Sequence, residues 1–199
     1  MTTTICLIRH GVYENPEKIF PGRLPDYGLS ALGRRQASRL AEFFSKKPVS
    51  SVFASPLKRT LETAEIIAQK FNLPVVIDDR LLEVRSPFDG LPMGDIEALA
   101  LAGKLYTKKY FDQGLERIPE IFRRMNRCLR DIVHTQPDKH SIVVSHGDPM
   151  MSVWFRYRGF DWSKGFALGN WYVPMGSGVK IEFDETEKPI SVAKLPVNV

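Results

Sequence analysis

The chain has 199 residues, 43% of them hydrophobic and 26% charged, the size of one globular domain that buries a real core without staples. No apolar run approaches the roughly 18 residues of a membrane span, and the two cysteines, Cys6 and Cys128, make neither a disulfide framework nor a metal-ligand pattern. Net charge is +5 with a pI near 9.2, yet the basic residues are scattered, so neither nucleic acid nor a membrane is expected as a partner and a phosphorylated small molecule fits better.

The N-terminal "MTTTICLI" has neither the basic region nor the small-residue cleavage site of a secretory signal, so a reducing cytoplasm is the expected location. Residues 4–9 read as a buried strand. The Pro- and Gly-rich "VYENPEKIFPGRLPDYG" that follows is a loop of a length that usually serves function. Ser30 is the expected N-cap of the next helix, with Leu29 as its staple and Ala37, Leu40, Ala41 and Phe44 on its apolar face.

"SSVFAS" is a second strand, and Ser55-Pro56 predicts the start of another helix as cap and first position. Leu57, Leu61, Ala64, Ala68 and Phe71 form its stripe, and "LPVVID" is a third strand. Residues 84–114 join a loop-like "RSPFDGLPMGD" to a helix-leaning "IEALALAGKLYTKKYF". Ile118, Ile121, Met125, Leu129, Ile132 and Val133 predict an amphipathic helix over 118–134. "HSIVVSHG" is a fourth strand, "DPMMSVWFRYRG" opens a helix, and "GVKIEF" and "ISVAKL" close the chain as β-like runs. Strands alternating with helices predict α/β layers around a largely parallel sheet, with the last pair adding a mixed or antiparallel element. No repeat or linker divides residues 1–199, so a single domain is expected. The "VWFRYRGFDW" run fits either core or interface, and the oligomeric state is not legible.

Two strands end alike. "TICLIRHG" and "SIVVSHG" each run apolar and then deliver a histidine and a glycine, His10-Gly11 and His146-Gly147. Ligands of open α/β sheets bind beyond the carboxyl ends of strands, so two imidazoles would meet there, with glycines allowing close backbone approach. Arg9 adds a cation beside His10, and Arg59 adds another in the first turn of the helix after the second strand. Glu83 follows the third strand and would reach the same edge. Two histidines, two arginines and one carboxylate make a phosphate cradle with a nucleophile and a proton donor. His134 and His140 share none of these contexts and are expected at the surface.

The blocks "LIRHG", "GLSALGRRQASRLAEFF", "SPLKRTLETAE", "LLEVRSPFDG" and "VVSHGD", in that order, resemble the histidine phosphatase superfamily, also called the phosphoglycerate mutase-like family. The resemblance implies a three-layer α/β/α sandwich with a mixed, mainly parallel sheet. It implies His10 as the nucleophile that accepts a phosphoryl group, Arg9, Arg59 and His146 as phosphate ligands, and Glu83 as general acid/base. Asn15 and Gly22 resemble substrate-contacting positions of the family, and Gly147 joins them. Val12 stands where many members carry Glu, and "YENP" replaces the Trp-Asn of the mutases. No metal or cofactor is expected, since no metal-ligand spacing and no Walker-type loop is present. Residues 86–114 would form a cap over the substrate, shorter than the mutase insertion, and Arg23, Tyr27 and Arg85 would line the outer pocket. A short cap favours hydrolysis by admitting water to a phosphohistidine. The alternatives are a phosphoglycerate-type mutase and a non-catalytic phospholigand-binding protein.

Overall fold

A computed structural model describes residues 2–160 and 172–196. Six strands form one sheet: β1 (Thr3–Arg9), β2 (Val49–Ala54), β3 (Val75–Ile77), β4 (His140–Ser145), β5 (Gly178–Phe183) and β6 (Pro189–Lys194). Their spatial order is β3-β2-β4-β1-β5-β6. The first four strands in this order run parallel, and β5 and β6 join antiparallel. The sheet is therefore mixed and mainly parallel, as the alternating pattern predicts.

β1 is central, and its uniform apolar run has a physical cause. Successive side chains of a strand point to opposite faces, so a strand covered on both faces must be apolar at every position. Ile5 and Leu7 enter a core with Met125, Leu129, Val143 and Val153. Cys6 and Ile8 enter the opposite core with Leu40, Phe44, Ala64, Ile67 and Val144. The first core is covered by α5 (Ile118–Thr135) and α6 (Gly147–Tyr157), the second by α1 (Ala31–Phe44) and α2 (Lys58–Gln69). This is the expected three-layer sandwich.

Ser30 caps α1 as predicted, its hydroxyl accepting from the Gly33 N–H at 3.1 Å. The Ser55-Pro56 signal is displaced: α2 begins at Lys58, and its cap position, Leu57, offers no side-chain acceptor. Ser55 serves the site instead. Residues 84–114 contain two short helices, α3 (Met93–Leu101) and α4 (Lys108–Phe111). Hydrogen bonds from Phe20 N–H to Leu91 O and from Met93 N–H to Lys18 O stitch α3 to the long loop after β1. His140 is half-buried rather than at the surface, with its Nε2 3.2 Å from Cys6 Sγ, whereas His134 is exposed beside Glu187. In the aromatic run, Val153 and Trp154 are core, while residues 161 and 162 lie outside the described residues. Among the described residues no helix is long and apolar enough to cross a membrane.

Candidate active site

Register sets the site. Arg9 on β1 pairs with Ser145 on β4, so the residues that follow, His10 and His146, leave the sheet side by side. The His10 N–H donates to Ser145 O at 3.1 Å, and the two rings stand 5.2 Å apart. Ala54 of β2 pairs with Val144 of β4, which brings Ser55 to the same edge.

His10 is 2% exposed and held in one tautomer. A carbonyl oxygen only accepts, so the 2.8 Å contact from Nδ1 to Gly11 O places the ring proton on Nδ1 and the lone pair on Nε2. The Arg59 Nε–H donates to that lone pair at 3.3 Å. Burial, then the charges of Arg59 and Arg9, push the His10 pKa well below its ordinary value. The turn that carries Gly11 is pinned by Thr63, whose hydroxyl accepts from Gly11 N–H, and by Gln36, whose side-chain carbonyl accepts from Val12 N–H. Gly11 and Gly33 are glycines of necessity: a Cβ on Gly33 would stand 1.9 Å from Val12 O.

Three buried nitrogens around His10 have no hydrogen-bond partner among the described residues: Arg9 Nε, Arg59 Nη1 and His146 Nδ1. Each parent side chain is fixed through another atom. Arg9 donates Nη1–H to Val173 O at 2.9 Å and stacks on Tyr172, and Arg59 donates Nη2–H to Gly22 O at 2.7 Å. His146 Nε2 lies 2.8 Å from Ser55 Oγ. Buried polar groups left unsatisfied are expensive, and two of these three are guanidinium donors, an arrangement that can take an anion.

Glu83 Oε2 stands 3.8 Å from His146 Nδ1, and the side chain is 13% exposed. Burial raises its pKa to about 7, helped by the charge of Asp148 and opposed by Arg59, the Val84 N–H and Arg9. Its backbone is clamped from behind. Arg23 and Arg124 both donate to Glu83 O, and both pair with the buried carboxylate of Glu116. Asp148 in turn accepts from the hydroxyls of Tyr106 at 2.5 Å and Tyr172 at 2.6 Å.

A cavity of about 270 Å³ opens over these groups. The structure brings Arg9, His10, Gly22, Arg59 and Glu83 to its wall, with His146 buried directly behind. Gly147 begins α6 and packs against Tyr172 rather than lining the wall. Asn15 is not brought to it: its side-chain amide is closed in a two-way hydrogen bond with the backbone of Ile19. Nor are the outer residues. Arg23 is spent on Glu83 O and Glu116, Tyr27 reaches Glu17, and Arg85 reaches Gly114 O. The expected cap does contribute, through Met93, Ile96, Glu97, Ala100 and Leu105. Sequence reasoning missed Ser55, Asp148 and the two tyrosines. Asp148 stood in the "SHGD" block and was the one of these with a visible signal.

The profile of the histidine phosphatase superfamily (branch 1) matches residues 5–194. Phosphoserine phosphatase 1 of Hydrogenobacter thermophilus is 30% identical over 171 residues, covering 83% of this chain and 81% of that protein. An uncharacterized protein of Mycobacterium tuberculosis is 40% identical over 92 residues, and the match spans 46% of each chain, less than half of that relative. The solved structure of Bacillus stearothermophilus YhfR superposes with a TM-score of 0.83, covering 99% of this chain and 98% of that one, at 24% identity, and so shows likeness of fold. With a match that runs through all six strands and every wall-forming segment described above, the chain belongs to the histidine phosphatase superfamily.

Proposed function

We propose that the protein hydrolyses a phosphomonoester of a small metabolite through a phosphohistidine on His10, without a metal. The observation that carries this reading is the His10 tautomer: a neutral ring with its lone pair on Nε2, met by Arg59 Nε–H, on a wall shared with the unpaired Arg9 Nε and Arg59 Nη1. The phosphatase named among its relatives supports the same chemistry.

In the first step the Nε2 lone pair bonds to phosphorus and the bond from phosphorus to the ester oxygen breaks. Glu83, protonated, gives its proton to the departing alkoxide, which leaves as the alcohol. Charge on the transferring group falls on Arg9, Arg59 and the His146 ring, whose Nδ1 carries the proton when the Ser55 hydroxyl donates to Nε2. In the second step the Glu83 carboxylate takes a proton from water as its oxygen attacks phosphorus. The P–N bond breaks, phosphate departs and the Nε2 lone pair returns.

The test is turnover of 4-nitrophenyl phosphate together with trapping of an acid-labile, base-stable phosphoenzyme. His10→Ala is expected to lose at least ~10³-fold in kcat and all trapping. A folded protein with no turnover across a broad ester panel removes the reading. Transfer between positions of a phosphoglycerate, dependent on a bisphosphate primer, would replace it with a mutase.

A further inference from the structure

The part of the cavity beyond the phosphate cradle has a chemistry of its own. Phe20, Met93, Ile96, Ala100, Leu105 and Met175 make its wall apolar. Four positions of α3 line it at i, i+3, i+4 and i+7: Met93, Ile96, Glu97 and Ala100. That spacing is one face of a helix, so Glu97 lies at the exposed edge of the stripe that lines the cavity, beside the buried Ile96 and Ala100. Its carboxylate forms no ion pair among the described residues.

The distribution of cations points the same way. Among the described residues the cationic groups on the wall are Arg9 and Arg59, and both belong to the phosphate cradle beside His10. Arg23 and Arg85, both expected at the outer pocket, are turned away onto Glu116 and Gly114. Among the described residues, a second anionic group on a substrate would meet hydrocarbon, the Tyr13 and Tyr172 rings and the carboxylates of Glu97 and Asp148. An apolar body followed by a positive charge would meet complementary surfaces in order.

We propose that the leaving group is a small hydrophobic alcohol carrying an amine, and that Glu97 selects it against alcohols carrying a carboxylate or a second phosphate. The assignment rests on the hydrolase reading for which bond breaks, but not for what the wall binds. Size agrees, since about 270 Å³ falls just below the roughly 300–1,000 Å³ of drug-sized sites.

Non-hydrolysable phosphonates test the wall separately from the chemistry. Calorimetric binding of benzylphosphonate, 4-(aminomethyl)benzylphosphonate and 4-carboxybenzylphosphonate is measured at pH 7.5. The amine is expected to bind about tenfold or more tighter than the carboxylate, because one compound meets an opposite charge and the other a like one. Glu97→Gln is expected to collapse that ratio, and Glu97→Lys to invert it. Equal or tighter binding of the carboxylate by the unmodified protein overturns the proposal, as does an amine preference that survives Glu97→Gln. If the preference holds while no ester is hydrolysed, the hydrolase reading falls and the wall assignment stands. Tight carboxylate binding with rapid hydrolysis of phosphoserine or 3-phosphoglycerate gives the converse.

Discussion

His146 Nδ1 faces Glu83 Oε2 across 3.8 Å, and burial shapes the charge of both partners. Desolvation pushes the imidazole well below its ordinary pKa and lifts the carboxyl to about 7. The two groups therefore do not form a strong ion pair at neutral pH. Near neutral pH Glu83 is protonated in about half of the molecules, the form that the proposed acid role requires.

The first consequence is a pH profile. With Glu83 acting as acid in the first step, kcat/KM is expected to fall as pH rises through about 7. Glu83→Gln should lower kcat by ~10²–10⁴-fold and remove this limb. Stability follows the same group. Between the ordinary value of 4.5 and about 7 the folded protein holds a proton that the unfolded chain has released, so unfolding free energy declines with rising pH across that window. Denaturant titrations at several pH values should show that slope in the native protein and lose it in the Gln variant.

Asp148 supplies part of the lift on Glu83. Asp148→Asn removes the negative charge while keeping one acceptor for the two tyrosines. The alkaline limb should move to lower pH, read from kcat/KM against pH, with the fold intact by circular dichroism. A limb that stays put would mean that burial alone raises Glu83.

Ser55 is 0% exposed and its hydroxyl reaches His146 Nε2 at 2.8 Å. Ser55→Ala leaves that nitrogen without its hydrogen-bond partner. A lost buried hydrogen bond is worth ~1–3 kcal/mol, which corresponds to about 5–150-fold if it is felt in the transition state. The expected loss is in kcat, measured on a soluble aryl phosphate, with KM changed little.

Gly33→Ala would place a methyl 1.9 Å from Val12 O, a backbone atom that cannot step aside. The expected result is ~1–3 kcal/mol of lost stability, with lower activity because Gly11 shares the displaced turn. Gly94→Ala is the matched control. It lies in α3 with nothing within 4 Å of the added carbon, so thermal melting should show no loss and a gain of up to ~1 kcal/mol.

The convergence of Arg9, His10, Arg59, Glu83 and His146 was legible because each follows a strand or opens a helix, and such positions share one edge of an α/β sheet. Which strands are neighbours was not legible. The Arg9–Ser145 register comes from long-range pairing, which local periodicity does not encode. Ser55 misled for a related reason. Ser-Pro before a helical stripe reads as a cap, but the chain turns two residues later and the hydroxyl is taken by a histidine 91 positions away. Asn15 misled in the opposite sense, since its amide is consumed locally by Ile19. The Glu116–Arg124–Arg23 clamp left no trace at all, because its members sit on separate elements and carry ordinary charged side chains.

The position of β1, with a parallel neighbour on one side and an antiparallel one on the other, divides the molecule by ease of opening. Its amides are paired at both edges and covered on both faces, so their exchange with deuterium should require near-global unfolding. The short helices α3 and α4 lie outside that sheet, and their amides should exchange through partial opening that leaves β1 intact. The proposed nucleophile, His10, thus directly follows the strand expected to open last, while the proposed leaving-group wall belongs to helices expected to exchange first.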